Sequence, residues 1–308
     1  MARVQNIAVI GAGLMGHGIA LTFAQAGMSV AITDPVESNL RTAHDRISES
    51  MKLLGANADE IMQALKNVSL CDSLDQAVEE ADFVFEAAPE KLEVKQNIFA
   101  EIEAAAPAGA ILASNTSVIQ ISKIMGGLKS RHRALGTHWW NPPHMIPLVE
   151  VVKTKWTETA NATRMSDLLN EVGKKAVMVE KDVPGFIGNR LQHALWREAI
   201  SLVENGICTA EAVDDVVKAS FGRRLAVLGP LENADLVGIE LTQDIHKQVL
   251  FDLENGTQPS AHLQKLLDEG RSGMAVGAGL RDWSENDLAT TKARVADHLR
   301  KLETILPN

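Results

Sequence analysis

Residues 4–34 read VQNIAVIGAGLMGHGIALTFAQAGMSVAITD, and the reading of this stretch decides the fold. A β-branched apolar run from Val4 to Ile10 enters Gly11-Ala-Gly13-Leu-Met-Gly16, a helix-like segment follows to Gly27, and a second short apolar run ends on Asp34. A bare G-x-G-x-x-G is weak evidence. A strand before it, a helix after it and an acid about 20 residues on make it a dinucleotide-binding fingerprint. Gly11 permits the tight turn, Gly13 lets backbone amides approach a pyrophosphate, and Gly16 packs helix on strand, so that the phosphates meet the positive end of the helix. Together with Leu14 and Met15 these are the candidate cofactor-binding positions, the Met15 side chain itself being read as packing. Asp34 would bond both ribose hydroxyls of NAD and repel the 2′-phosphate of NADP, and Pro35 and Val36 supply no cation to reverse that preference. The fingerprint alone still admits FAD, and a plain glycine turn would leave Asp34 unexplained.

The same rhythm runs on to about residue 180. VQNIAVI, SVAITD, NVSL, DFVFEA, AILAS, RALGTHW, PLVEVV and KAVMVE are short apolar runs separated by helix-length segments, the pattern of parallel βαβ units buried on both faces. At KDVPGF, residues 181–186, Pro184 and Gly185 break the pattern, and the chain then reads helical: NRLQHALWREAISLVENG, AEAVDDVVKAS, ENADLVGIELTQDIHKQVL, SAHLQKLLDEG and ENDLATTKARVADHLRKLETIL. The expected architecture is α/β, a Rossmann-type doubly wound, mostly parallel sheet over residues 1–182, followed by a smaller all-α domain over 183–308. A chain of 308 residues is long enough for two such domains.

A hydrophobic content of 45% with 23% charged residues is ordinary for a globular protein, and no apolar run approaches the roughly 18 residues of a membrane span. A formal charge of −10, without a dense block of Lys and Arg, argues against nucleic acid as a partner. The opening MARVQNIAVIGAG lacks the features of a secretory signal, and Cys71 and Cys208 are lone and far apart, so a cytoplasmic location is expected. No His, Cys or carboxylate cluster has metal-ligand spacing, and no metal is expected.

One carboxylate stands out. In PLVEVV, Glu150 shares a strand face with Leu148 and Val152, where a charge costs several kcal/mol unless it finds a partner. His138, at the end of RALGTH, is placed to be that partner. Glu150 would orient the imidazole while its other nitrogen takes a hydroxyl proton, although spacing alone equally admits a satisfied core pair.

The motifs Gly11 to Gly16, Ala88-Pro89-Glu90 with Lys95, Ser114-Asn115-Thr116-Ser117, His138-x-x-Asn141-Pro142, Leu148-Val149-Glu150-Val151, Pro184-Gly185-Phe186 with Asn189-Arg190, and Gly229-Pro230 together resemble the 3-hydroxyacyl-CoA dehydrogenase family, over essentially the whole chain. The resemblance implies an NAD-dependent dehydrogenase with His138 and Glu150 as the catalytic dyad. It further implies that Ser117, Asn141 and Asn189 bind the reacting oxygen or orient the histidine, and that Glu90, Lys95 and Asn115 contact the nicotinamide half of NAD. Taken from the residues alone, Asn115 and Ser117 could instead cap a helix, and Glu90 with Lys95 could be a surface ion pair.

Three departures point to the branch of the family that works without CoA, which resembles enzymes acting on L-gulonate, L-carnitine or a pyridine carboxylate and includes a lens crystallin. First, thioester-acting members carry a lysine-rich hairpin after the second strand, whereas residues 37–67 here set Arg41, Arg46, Lys52 and Lys66 against Glu37, Asp45, Glu49, Asp59 and Glu60, a poor cradle for a polyanion. Second, HWWNPPHMIPLVEV replaces the usual paired phenylalanines. Third, FGRRLAVLGP places Arg224 where a guanidinium could grip a free carboxylate, or else form a surface or dimer salt bridge. The expected substrate is therefore a small free hydroxy acid of the 3-hydroxy type, bound by Ser117, Asn189 and Arg224. A 3-hydroxyacyl-CoA, a pyridine aldehyde acid and a non-catalytic crystallin-like role remain as alternatives. Trp139 and Trp140 could stack on a ligand but read more simply as core and wall, and His144 as a solvated loop residue. The family's helical domain usually pairs two subunits, so a homodimer is expected, with closure of the two domains around substrate.

Overall fold

Strands too short and too apolar to tolerate water on either face must be covered by helices on both, and the molecule is built that way. The computed structural model describes residues 5–306; Val4, which opens the first expected strand, and the rest of 1–4 and 307–308 lie outside the described residues. The elements run β1 (Asn6–Ile10), α1 (Gly16–Gln25), β2 (Ser29–Thr33), α2 (Glu37–Arg41), α3 (Ala43–Leu53), α4 (Ala58–Lys66), β3 (Val68–Leu70), α5 (Leu74–Val78), β4 (Phe83–Glu86), α6 (Leu92–Ala105), β5 (Ile111–Ser114), α7 (Ile121–Met125), β6 (Ala134–Trp139), β7 (Leu148–Val152), α8 (Thr159–Glu171) and β8 (Lys175–Val179). Then come α9 (Gly188–Glu204), α10 (Ala210–Ala219), α11 (Pro230–Val237), α12 (Ile239–Val249), α13 (Ala261–Asp268) and α14 (Asp287–Ile305). All eight expected strands form.

They make one sheet in the order β3-β2-β1-β4-β5-β6-β7-β8. The strands from β3 to β6 are parallel, which confirms the doubly wound α/β architecture, and alternate side chains feed two cores: Ile7 and Val9 on one face, Ala8 and Ile10 on the other. The winding reverses between β1 and β4, which opens a crevice beyond their carboxyl ends, the usual ligand position in such sheets. The β6–β7 pair departs from the parallel pattern. Only residues 140–147 join these strands, too few for the crossover of a dozen or more residues that a parallel pair needs, so β7 runs antiparallel to β6 and β8 then pairs parallel to β7.

Two compact units emerge, one comprising the described residues up to Arg190 together with those from Asp297 onward, the other Leu191–Ala296. Within the second, the stretch ENADLVGIELTQDIHKQVL reads as one helix in sequence but forms two: Gly238, at φ 104°, takes a conformation open to glycine and ends α11 before α12 begins. Arg281 braces this unit through Glu211 at 3.0 Å and Asp214 at 2.7 Å, its guanidinium 4.8 Å from the Trp283 ring centroid. Helices α10 to α14 contain no fully buried residue. No helix of the described residues is long and apolar enough to cross a membrane.

Candidate active site

The glycine loop lies between β1 and α1. Gly11 adopts φ 107°, and a Cβ there would sit 2.8 Å from the carbonyl oxygen of Ala87; a Cβ on Gly16 would fall 1.7 Å from that of Gly11. Gly13 is different: nothing lies within 4 Å of where its Cβ would be, so its face is open. The amides of Gly13, Leu14 and Met15 donate to no group among the described residues. Leu14 is exposed, whereas Met15 packs against the core. An open glycine face and free amides at the start of a helix fit the pyrophosphate of a dinucleotide.

Asp34, at the end of β2, accepts from the Ala12 amide at 2.7 Å and from that of Val36 at 2.8 Å. Although its sequence neighbours carry no cation, the fold brings one near. Arg46 of α3 donates to the Ala12 carbonyl at 2.9 Å and to Asn39 at 3.3 Å, and the Asn39 amide reaches both Asp34 oxygens at 3.4 Å.

At the end of β4 stands Glu86, which the sequence reading passed over. It is fully buried and accepts from Lys95 at 2.7 Å, from the Ala88 amide at 2.7 Å and from the Ser114 hydroxyl at 2.6 Å. Lys95 is no surface residue: at 0% exposure its ammonium also meets the Ala88 carbonyl at 3.2 Å and Glu90 at 3.5 Å. Glu90 in turn accepts from Thr116 Oγ1 at 2.6 Å and from the amides of Ser117 and Val118 at 3.0 and 3.2 Å. Burial works to raise its pKa, but these donors and the charge of Lys95 hold it below the ordinary carboxylate value. A chain of charge-assisted bonds thus runs from the buried strand end to the loop that carries Ser117.

His138 and Glu150 are direct cross-strand partners on the β6–β7 ladder. Nδ1 of His138 donates to Glu150 Oε2 at 2.6 Å, both side chains being buried, and Nε2 has no hydrogen-bond partner among the described residues. The second carboxylate oxygen, Oε1, accepts from the amides of Ile187 and Gly188 at 2.8 and 3.1 Å. Burial would raise the Glu150 pKa, yet the His138 bond, the two amides and the attraction of the imidazole lower it, so the group stays ionised. Glu150 therefore anchors the start of α9 as well as the imidazole. Around the ring sit Trp140 at 5.2 Å and Phe186 at 5.6 Å between centroids, and Phe186 holds a left-handed φ of 50° in the Pro184-Gly185-Phe186 turn.

The other candidates fall into place unevenly. Asn189 donates to the Ser117 carbonyl at 2.9 Å, and the buried Asn115 accepts from the Trp139 amide at 3.0 Å, tying the loop after β5 to the end of the histidine strand. Neither Asn115 nor Ser117 caps α7. That work falls to Asp182, whose oxygens accept from Ile121 at 3.0 Å and Ser122 at 2.7 Å. Asn141 is exposed ahead of a cis Pro142 and its side chain bonds to nothing among the described residues. Arg224 lies in the second unit, exposed, and its guanidinium has no partner among the described residues. Trp139 belongs to the core, edge-on to Phe23 and Phe85.

His144 is not the solvated loop residue expected. It is half-buried against Gly18 of α1, its Nδ1 enclosed without a partner, and burial reinforced by the charges of His17 and Lys174 lowers its pKa to about 4. Lys174, also buried, donates to the carbonyls of Pro143 at 2.7 Å and Ile146 at 3.1 Å, which pins the loop between His138 and Glu150; its pKa is lowered to about 8, chiefly by burial. The described residues contain no cluster of His, Cys or carboxylates able to hold a metal ion.

Residues 6–183 match the NAD binding domain of 3-hydroxyacyl-CoA dehydrogenase and residues 185–283 match its C-terminal domain. The 5-formyl-3-hydroxy-2-methylpyridine 4-carboxylate 5-dehydrogenase of Mesorhizobium japonicum is 32% identical over 303 residues, covering 98% of this chain and 97% of the relative. L-carnitine dehydrogenase of Nocardiopsis dassonvillei is 38% identical over 240 residues, 77% of this chain and 72% of the relative. A solved structure of the pyridine carboxylate enzyme, described as an NAD+ dependent dismutase, superposes with a TM-score of 0.90 at 30% identity over 99% of both chains. The protein is thus an NAD-dependent oxidoreductase belonging to the 3-hydroxyacyl-CoA dehydrogenase family.

Proposed function

We propose that the enzyme oxidises the hydroxyl of a small free hydroxy acid, of the 3-hydroxy type, with His138 as general base and Glu150 as its orienter. The observation that carries this is the 2.6 Å bond from Nδ1 to a buried carboxylate, which leaves Nε2 as the free nitrogen. The substrate hydroxyl gives its proton to Nε2, and Glu150 stabilises the imidazolium that results. Bound NAD supplies the acceptor for the departing hydride. Because its other oxygen is held by two amides, Glu150 cannot swing away as the charge develops. Ser117 and Asn189, already joined to each other, are assigned to the alcohol oxygen, and Asn141 to that oxygen or to orienting His138. Gly11, Gly13, Leu14, Met15 and Gly16 take the pyrophosphate and Asp34 the ribose, while Glu90 and Asn115 form the nicotinamide side with Lys95 behind Glu90.

A free acid rather than a CoA thioester is favoured by what the cations of residues 37–67 already do. Arg41 pairs with Glu37 and Arg46 holds Ala12, which leaves Lys52 and Lys66 against a net acidic segment. The full-length likeness to the pyridine carboxylate enzyme favours a second reading, oxidation of an aldehyde on such a ring. Helices α10 to α14, without a buried residue, together with Leu231 of α11 at 81% exposure and Phe251 of the turn after α12 at 80%, support a homodimer formed by a second copy covering this region.

NADH formation against L-gulonate, L-carnitine, L-3-hydroxybutyrate, its CoA thioester and a pyridine aldehyde acid tests the proposal. Turnover of a free hydroxy acid and not of the thioester is expected. Efficient turnover of the thioester alone would overturn it, and turnover of the aldehyde alone would establish the second reading.

A further inference from the structure

Both backbone polar atoms of Ala12 are taken, and by opposite charges. Its amide donates to Asp34 at 2.7 Å; its carbonyl accepts from Arg46 at 2.9 Å. Asn39 closes the circuit, accepting from Arg46 at 3.3 Å and donating toward Asp34 at 3.4 Å. An acid from the end of β2 and a base from α3 therefore grip the same residue of the glycine loop from its two sides, immediately before the open face of Gly13.

In a sheet of this kind the acid at the end of β2 holds the adenosine ribose. A 2′-phosphate on that ribose would bring close to two negative charges against Asp34, and the repulsion excludes it. Arg46 stands on the far side of Asn39 with five N–H donors, of which the ring uses two. Its bond to Asn39 is the long one, made to a neutral amide, and a phosphate oxygen is the stronger acceptor. Arg46 and Asn39 are both half-buried, so neither is sealed from a ligand at this corner. A planar guanidinium fork is well shaped for phosphate.

We propose that Arg46 is the second determinant of cofactor selectivity. With Asp34 present it locks the glycine loop and the corner takes the free 2′-hydroxyl of NAD; with Asp34 replaced by a neutral residue it leaves Asn39 and anchors a ribose 2′-phosphate. A single substitution at Asp34 then turns the site toward NADP. This rests on the dinucleotide reading of the glycine loop, and it concerns binding alone, so it stands apart from the identity of the substrate.

Calorimetric titration of the whole protein with 5′-ADP and with adenosine 2′,5′-bisphosphate tests it, the ratio of the two affinities being the readout. A loosened glycine loop weakens both probes and divides out of that ratio. The wild type is expected to favour 5′-ADP. In Asp34→Ser the ratio should shift toward the bisphosphate by about 10- to 100-fold, the range expected when one charge-assisted hydrogen bond forms and one repulsion is relieved. Adding Arg46→Ala should cancel at least about tenfold of that shift. Asp34→Asn, which keeps an acceptor for the Ala12 amide, should shift the ratio in the same direction and serves if the serine variant folds poorly. An unchanged ratio in both Asp34 variants, or a shift that survives Arg46→Ala, would overturn the proposal. Failure of 5′-ADP to bind the wild type would instead overturn the dinucleotide reading beneath it.

Discussion

Glu150 faces His138 across one rung of the β6–β7 ladder and uses its other oxygen to hold the amides of Ile187 and of Gly188, where α9 begins. One carboxylate thus ties the imidazole to the turn that follows the sheet. The two duties separate by mutation. Glu150→Gln keeps an acceptor for Ile187 and Gly188 and should fold, yet turnover should fall about 10²- to 10⁴-fold because the imidazolium loses its counter-charge. Glu150→Ala should in addition cost about 2–4 kcal/mol in urea unfolding, leaving buried donors unpaired. His138→Gln should lose turnover to a similar degree while NAD binds nearly as before. Full activity in Glu150→Gln would remove the dyad.

Lys95 and Glu86 form an ion pair with neither side chain exposed. Removing one partner strands the other charge, so Lys95→Met should cost about 3–5 kcal/mol of stability. A loss below about 1 kcal/mol in denaturant unfolding, the size typical of an exposed pair, would contradict this placement.

Gly188 has no room for a side chain: a Cβ would lie 2.4 Å from the Trp140 ring, which itself lies tilted beside His138. Gly188→Ala should push that indole aside, cost about 1–3 kcal/mol and lower kcat more than NAD affinity. Unaltered indole fluorescence and kcat together would count against it.

Two bases, half-buried His144 and buried Lys174, tie stability to pH in separate windows. His144 titrates near 6.5 when unfolded and at about 4 when folded, so between those values only the unfolded chain binds the proton. Stability should therefore fall as pH drops from 6.5 toward 4, and His144→Gln should remove that part of the slope. Lys174 runs from about 8 folded to 10.5 unfolded. Burying its charge costs roughly 3 kcal/mol below pH 8, a cost that disappears as pH rises to 10.5. The stability difference between wild type and Lys174→Met should change in the wild type's favour across that alkaline window; a flat difference would show the ammonium to be solvated.

A dimer makes its own prediction. Light scattering during size exclusion should give twice the 33.3 kDa chain mass, and Leu231→Glu or Phe251→Glu should weaken association. A monomer at micromolar concentration would leave the exposed helices α10 to α14 unexplained.

What could be read along the chain was what short-range pattern encodes. The eight strand runs, the glycine loop and Asp34 were legible because burial on both faces and a tight phosphate turn demand particular residue types in sequence. Glu150 was conspicuous as a charge in an apolar strand. Glu86 carried the same signal in DFVFEA and escaped notice for want of a visible partner, since Lys95 reads as surface until α6 is folded back over β4. The break at Gly238 was hidden inside a continuous helical pattern.

The sequence by itself determined the strand runs, the glycine loop with Asp34 and the pairing of His138 with Glu150, because each depends on residues set by local periodicity or joined by one short loop. Only the tertiary structure decided that Arg46 holds the Ala12 carbonyl, that Asp182 rather than Ser117 caps α7, that Glu150 anchors α9 and that Lys174 pins the loop at Pro143. The physical reason is common to all four. A buried charge or an orphan amide takes whichever partner the packed chain brings within about 3 Å, and separations of 31 to 61 residues leave no periodic trace of that choice.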